Sequence, residues 1–113
     1  MYNEYGDDMK LIIENKSIPI KKCTSFKDKL FGVMFKKNID YGIVLEKCGS
    51  IHTFFMKENI DVIMTDKNYK VLFIYNNLTK NKVILPKKNV YYTFEIPSGL
   101  NNYKINDKLK TID

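Results

Sequence analysis

The residues with the clearest chemical potential are concentrated in the segment SIHTFFMKENIDVIMTD, at positions 50–66. This segment contains the single histidine of the chain, His52, and three acidic residues, Glu58, Asp61 and Asp66. A histidine can act as a general base when a carboxylate orients its ring, so His52 with Asp61 could support hydrolysis. Asp61 is the more interesting carboxylate because it opens an apolar run, whereas the other two acids fall in expected turns.

Both residues also have a structural interpretation. Asp61 follows the turn-forming residues KEN and could accept backbone N–H groups that lock this turn. His52 alternates with Phe54 and Met56 along an extended strand, a pattern that is more typical of a core histidine than of a ligand. The sequence therefore leaves open whether the two residues form a site or stabilise two strands.

Metal and thiol chemistry have little support. Zinc needs three or four His, Cys or carboxylate ligands, and the chain has one histidine and two cysteines, Cys23 and Cys48. In an extended strand, Cys48 and His52 lie about 13 Å apart, which is too far for a shared metal or a nucleophile pair. Two cysteines are too few for a disulfide scaffold, and their pairing stays open. No metal and no cofactor are expected, and no P-loop or similar motif occurs.

The net charge of +6 raises the question of nucleic-acid binding. All 19 basic residues are lysine, however, and arginine supplies the bidentate contacts to phosphate and guanine. Specific nucleic-acid recognition is therefore not expected. Four lysines lie in a segment without acidic residues and support a weaker alternative, non-specific binding of nucleic acid or of an anionic surface; they are Lys80, Lys82, Lys87 and Lys88.

The elements that must position these residues are mostly strands. Segments rich in Val, Ile, Phe, Tyr and Thr, separated by turn residues, predict eight strands, at 10–15, 17–23, 41–46, 51–56, 61–66, 70–76, 82–86 and 90–97. Pro19 marks the second as an edge or bent strand, and DKNY at 66–69 predicts a tight hairpin. One short helix is expected at 24–35, where Phe26, Leu30 and Val33 share a helical face.

The chain has 113 residues and a hydrophobic fraction of 44%, which suits one domain with one core. The strands predict a mainly β protein (β-rich α+β), a small single-domain barrel of about six to eight strands with one short helix. We expect residues 1–9 to form an N-terminal tail and residues 10–112 the domain. No apolar run is long enough to span a membrane. The acidic N-terminus does not resemble a signal peptide, so the chain is expected to be cytoplasmic, or exported if a signal was removed.

Several sequence blocks occur in a distinctive order. They are GVMF at 32–35, CGSIHTFFM at 48–56, IDVIMTDKNYKV at 60–71, Pro86 and FEIPSG at 94–99. In order and separation these blocks resemble the family called domain of unknown function 192, over residues 10–112. The resemblance implies a compact β-rich barrel with a short helix packed on it, and it implies no established activity.

The positions that match the family pattern supply the candidate site. By this resemblance the candidate ligand-binding residues are His52, Thr53, Met56, Asp61 and Glu95. Lys29 and Lys36 replace arginines of the family pattern and are weaker candidates for anion binding. No residue is assigned a catalytic role from the sequence.

Two functional hypotheses follow. The preferred one is a non-catalytic binding or accessory module for an unknown small ligand, a glycan or a protein partner. Aromatic side chains would supply its stacking surfaces if they are exposed; they are Phe54, Phe55, Tyr69, Tyr75, Tyr91 and Tyr92. The alternative is a hydrolase in which His52 is the base and Asp61 the orienting acid.

Overall fold

The structure, a computed structural model, describes residues 9–23, 41–47, 51–52, 58–85 and 87–112, with only the backbone of Cys23, Ile51 and His52. The described residues form nine strands: β1 (Met9–Ile13), β2 (Lys16–Cys23), β3 (Gly42–Glu46), β4 (Ile51–His52), β5 (Ile60–Thr65), β6 (Val71–Leu78), β7 (Val83–Ile84), β8 (Tyr92–Pro97) and β9 (Lys110–Ile112). The helix expected at 24–35 lies outside the described residues. In the ranges described, no helix is long and apolar enough to cross a membrane.

Seven strands form one sheet in the order β6-β5-β8-β3-β2-β1-β9. β2 and β3 run parallel, and the other neighbours in this sheet run antiparallel. β4 and β7 form a separate two-stranded sheet, in which Ile51 pairs with Ile84 and His52 with Val83. The prediction of a mainly β protein is therefore confirmed.

The large sheet curls until its two outermost strands approach each other at one end. The N–H of Val71, at the start of β6, donates to the carbonyl of Asp107 at 2.8 Å, and the Val71 carbonyl accepts the N–H of Asn106 at 2.9 Å. The N–H of Leu109 donates to the carbonyl of Tyr69 at 3.0 Å. Because Leu109 leads directly into β9, these bonds join the two margins of a curled half-barrel.

Two apolar clusters lie on the two faces of this sheet. The inner cluster draws on six strands and Leu109, and its buried members are Leu11, Ile13, Ile18, Ile20, Val44, Ile63, Val71, Phe94, Ile96 and Leu109. The outer cluster contains Ile43, Leu45, Ile60, Val62, Met64 and Ile84. Since Ile84 belongs to β7, the β4–β7 sheet packs over the outer face. β5 contributes to both clusters because alternate residues of a strand point to opposite faces.

The structure corrects the prediction for β2. β2 lies between β1 and β3 in the sheet, so its assignment as an edge strand is wrong. Its pairing with β3 begins at Ile20, opposite Gly42. Pro19 therefore precedes the parallel ladder, where its missing N–H is tolerated.

The hairpin predicted at 66–69 is confirmed. Asp66 Oδ1 accepts the N–H groups of Asn68 at 2.8 Å and Lys70 at 3.0 Å. The N–H of Tyr69 donates to the Asp66 carbonyl at 3.1 Å, and Tyr69 has a left-handed φ of 67°. An aspartate that binds the backbone two and four residues ahead is what fixes this turn.

Candidate functional site

Asp61, the second residue of β5, is a buried carboxylate with backbone partners on both oxygens. It is 1% exposed. Its Oδ1 accepts the N–H of Asn77 at 2.7 Å, and its Oδ2 accepts the N–H groups of Gly99 at 3.0 Å and Asn101 at 2.9 Å. Asp61 thus binds backbone donors, as its structural interpretation predicts. The donors belong to β6 and to the turn after β8, however, and not to the turn before β5.

Side-chain amides extend this arrangement. Asn77 Oδ1 accepts the Asn59 side-chain N–H at 2.9 Å and the Ser98 hydroxyl at 2.7 Å. The side-chain N–H of Asn101 donates to Asn76 Oδ1 at 2.9 Å. Gly99 has a φ of 89°, a left-handed conformation that glycine adopts without strain. The corner between β5, β6 and the turn after β8 is therefore a closed hydrogen-bond network.

Glu95 lies on the other face of the sheet. It pairs with Ile43 of β3 and Val62 of β5, which both belong to the outer cluster. Asp61 pairs with Ile96, which belongs to the inner cluster. Directly paired residues project to the same face of a sheet. Asp61 and Glu95 are therefore on opposite sides of β5 and β8 and do not share one pocket.

The Glu95 side chain is mostly buried beside apolar residues of the outer cluster. The residue is 7% exposed, and burial raises the pKa of its carboxyl from 4.5 to about 7. Desolvation has this effect because it disfavours the charged form of an acid. Near neutral pH the group therefore exists both as a hydrogen-bond donor and as an anion.

Thr93 provides a second buried polar group on the same face. It precedes Glu95 by two residues in β8 and pairs with Leu45 and Met64 of the outer cluster. Thr93 is completely buried, and its Oγ1 has no hydrogen-bond partner in the described structure. Buried polar groups nearly always have a partner, so each exception needs an explanation. We refer to these two residues as the Thr93–Glu95 pair.

The family resemblance identifies Glu95 as a candidate ligand-binding residue, but nothing in the sequence analysis identifies Thr93. The signal that could have identified it is its spacing, because residues i and i+2 of a strand point to the same face. A threonine two residues from a buried glutamate is thus part of the same surface.

The structure does not test the rest of the predicted site. Thr53, Met56, Lys29, Lys36 and Cys48 lie outside the described residues. The backbone of His52 lies in the β4–β7 sheet, separate from the sheet that carries Asp61 and Glu95. The grouping of His52 with Thr53, Met56 and either carboxylate stays a prediction.

Three tyrosines form a half-buried aromatic cluster near the hairpin. The rings of Tyr69 and Tyr92 stack with centroids 4.7 Å apart and planes 11° from parallel. Tyr91 contacts Tyr92 edge-on at 4.7 Å. Glu46 pairs with Tyr92 in the sheet, and its Oε1 lies 2.8 Å from Lys22 Nζ. We refer to Tyr69, Tyr91 and Tyr92 as the tyrosine cluster.

The sequence proposes three further aromatic residues as stacking surfaces for a ligand. Tyr75 packs against the outer cluster, and Phe54 and Phe55 lie outside the described residues. Within the described ranges, no three His, Cys, Asp or Glu side chains are arranged to hold a metal ion.

Comparisons with known proteins agree with this architecture. Residues 9–110 match the family model of domain of unknown function 192, described as "Uncharacterized ACR". A UPF0127 protein of Pyrococcus horikoshii is 36% identical over 100 residues, which are 80% of this chain and 85% of that protein. A UPF0127 protein of Thermococcus kodakarensis is 32% identical over 87 residues, which are 72% of this chain and 55% of that protein.

Two crystal structures share the fold. A proposed transcription regulator from Sinorhizobium meliloti superposes with a TM-score of 0.78 at 14% identity, over 91% of each chain. A protein of unknown function from Novosphingobium aromaticivorans has a TM-score of 0.76 at 14% identity, over 90% of this chain and 82% of that chain. At this identity the likeness concerns the fold alone. From the family match and its archaeal relatives, the chain belongs to the uncharacterised family called domain of unknown function 192.

Proposed function

We propose that this protein is a non-catalytic binding module that receives a small ligand at the Thr93–Glu95 pair. The observation that carries the proposal is the buried Thr93 hydroxyl, which has no polar partner in the described structure and lies two residues from the Glu95 carboxyl, whose pKa burial raises to about 7. Leaving a buried polar group unpaired costs about 1–3 kcal/mol. A ligand that hydrogen-bonds both groups would remove this penalty and would thereby gain affinity.

The surroundings define what such a ligand must look like. The pair is bordered by Ile43, Leu45, Val62 and Met64, so the ligand needs apolar surface around its polar atoms. At least one of those atoms must donate a hydrogen bond, because an ionised Glu95 can only accept. A primary amine or a hydroxyl group meets this requirement, and an amine would also favour the ionised carboxyl.

The geometry favours binding over hydrolysis. The hydrolase hypothesis requires Asp61 to orient a catalytic base, yet both Asp61 oxygens already accept backbone N–H groups. Its burial on the inner face also separates it from the other carboxyl. Asp61 is thus best explained as a structural acceptor.

The test is an amide NMR titration of the isotope-labelled protein at pH 7 with three separate probes. Butylamine and butanol carry a donor on an apolar chain, and diethyl ether is apolar without a donor. We expect shifts centred on residues 43–45, 62–64 and 93–95 with a probe that carries a donor. Thr93→Val and Glu95→Gln should each weaken binding at least several-fold. Asp66→Asn is the matched control, because Asp66 lies in the hairpin, away from the pair. Binding that survives both β8 substitutions, or shifts confined to other strands, would contradict the proposal.

A second candidate function is glycan binding at the tyrosine cluster. Its support is the half-buried stack of Tyr69 and Tyr92 beside the Lys22–Glu46 ion pair, since aromatic rings pack on apolar sugar faces while charged groups bind hydroxyls. Titration with cellotriose and chitotriose separates the two sites. Shifts at residues 69 and 91–92 would favour the glycan site, and shifts at residues 93–95 the first proposal.

A further inference from the structure

The outward side of β7 exposes aliphatic side chains among lysines. Val83 is 54% exposed and Leu85 is 67% exposed, whereas Ile84 between them is 5% exposed and packs in the outer cluster. The inward packing of Ile84 fixes the orientation of the strand. Val83 and Leu85 therefore point away from the protein together, as residues i and i+2 of an extended segment must.

Lysines flank this apolar pair along the chain. The segment 78–90 contains Lys80, Lys82, Lys87 and Lys88 and no acidic residue. Lys80, Lys82 and Lys88 are exposed, and the ammonium group of Lys87 lies 5.7 Å from the ring centroid of Phe73 on β6. We refer to Val83, Leu85 and these four lysines as the β7 surface.

We propose that the β7 surface docks on a lipid bilayer that contains anionic phospholipids. Lysine side chains can place their ammonium groups among lipid headgroups while aliphatic side chains enter the boundary of the acyl chains. Anionic headgroups complement the uniform positive charge of the segment. The docking is peripheral and reversible, because only two aliphatic side chains insert, and it does not depend on the ligand proposed for the Thr93–Glu95 pair.

The arrangement fits a bilayer better than the other anionic partners. A nucleic acid would contact the lysines through phosphate and would leave Val83 and Leu85 in water, since its groove edges and backbone are polar. The lack of arginine in the chain further disfavours phosphate recognition by bidentate contacts. An acidic peptide could add to β7, but the strand is only two residues long. A bilayer needs no extended strand edge.

The experiment is co-sedimentation of the full chain with unilamellar vesicles at about 0.1 M salt. Vesicles of phosphatidylcholine with 30% phosphatidylserine are compared with vesicles of phosphatidylcholine alone. We expect binding to the mixed vesicles that is at least ten-fold stronger than to the neutral ones. Raising the salt to about 0.5 M should reduce it several-fold. A single-stranded oligonucleotide, measured under the same conditions, reports the competing nucleic-acid explanation.

Two pairs of variants separate the apolar and the electrostatic contributions. Leu85→Ser should reduce binding to the mixed vesicles about three-fold or more and should leave oligonucleotide binding unchanged. Its matched control is Ile105→Ser, because Ile105 is 50% exposed in the turn before β9. Lys80→Glu with Lys88→Glu should abolish vesicle binding, whereas Lys108→Glu with Lys110→Glu, which makes the same charge change elsewhere, should weaken it much less.

Three outcomes of these binding measurements would overturn the proposal. Equal binding to neutral and mixed vesicles, or none to either, excludes anionic lipid as the partner. Equal losses for Leu85→Ser and Ile105→Ser exclude a local insertion. If the oligonucleotide competes fully and Leu85→Ser has no effect, the lysines bind polyanions without insertion. Circular dichroism of each variant verifies that the fold is intact, which is expected because all substituted side chains are exposed.

Discussion

Asp61 and Glu95 occupy neighbouring strands in adjacent register positions, yet their carboxyl groups lie on opposite faces of the sheet. The Asp61 oxygens accept three backbone N–H groups, whereas Glu95 lies beside apolar residues, and desolvation raises the pKa of its carboxyl to about 7. Both side chains are buried. The same change, carboxylate to amide, should therefore destabilise the protein at one position and stabilise it at the other.

Asp61→Asn should reduce the free energy of unfolding by about 2–4 kcal/mol, because an amide N–H₂ would face at least one backbone N–H donor and leave it unpaired. Urea denaturation followed by circular dichroism measures this loss. Asp66→Asn is the control, since Asp66 accepts two backbone N–H groups at an exposed turn and should lose about 1 kcal/mol. Similar losses in both variants would show that the burial of Asp61 contributes little.

Glu95 predicts an unusual dependence of stability on pH. Its pKa is 4.5 in the unfolded chain and about 7 in the folded protein, so between these values the native state binds more protons. Stability must then fall as pH rises. The contribution is complete below about pH 4.5 and is lost as pH rises to about 7, a change on the order of 3 kcal/mol.

Urea unfolding of the wild type and of Glu95→Gln at several pH values between 5 and 8 tests this slope. Glu95→Gln should be more stable than the wild type at pH 8 and similar to it near pH 5, because glutamine resembles the protonated acid. A wild type whose stability rises over this range, with the same slope in the variant, would show that Glu95 titrates normally.

Gly42→Ala should be destabilising by about 1–3 kcal/mol through steric overlap. A Cβ at this position would lie 2.7 Å from Ile20 Cδ1 and 2.9 Å from the backbone oxygen of Glu95. Thermal unfolding measures the loss. Ile20→Val removes Cδ1, so in the double variant the two effects should sum to less than their separate losses. Simple additivity would mean that the overlap with Ile20 is relieved in another way.

Tyr103→Phe should loosen the junction between β1 and β9. The Tyr103 hydroxyl donates to the carbonyl of Ile12 and accepts the N–H of Lys110 at 3.1 Å. We expect a loss of about 1–2 kcal/mol and faster amide hydrogen exchange at residues 110–112. Tyr75→Phe is the control, since no described residue hydrogen-bonds its hydroxyl. Unchanged exchange in β9 would show that backbone pairing with β1 is sufficient to hold it.

The sequence predicts the strands that are buried on at least one face. The apolar content of 61–66 and 90–97 places β5 and β8, and Asp66 with Asn68 identifies the hairpin. β9 is not predicted, because the segment that contains it is mostly polar and the strand is held by pairing with β1. Local residue preferences do not contain this long-range contact.

The candidate site is predicted less completely, for a similar reason. The family resemblance indicates Asp61 and Glu95 as a group, but only the register of β5 and β8 shows that they face opposite ways. A shift of one residue in that register would have put both carboxyls on one face. Register depends on the partner strand, and no single segment of the sequence specifies it.

The position of β8 also has a kinetic consequence. β8 pairs with β3 and β5, although it follows both in the chain, so β3 and β5 each lack a neighbour until residues 92–97 arrive. Pairings between distant segments slow folding, because loop-closure entropy must be overcome first. Two apolar strands with open edges would meanwhile be available to other chains. We therefore expect refolding yield to fall with protein concentration, and substitutions in β8 to slow folding more than those in β1.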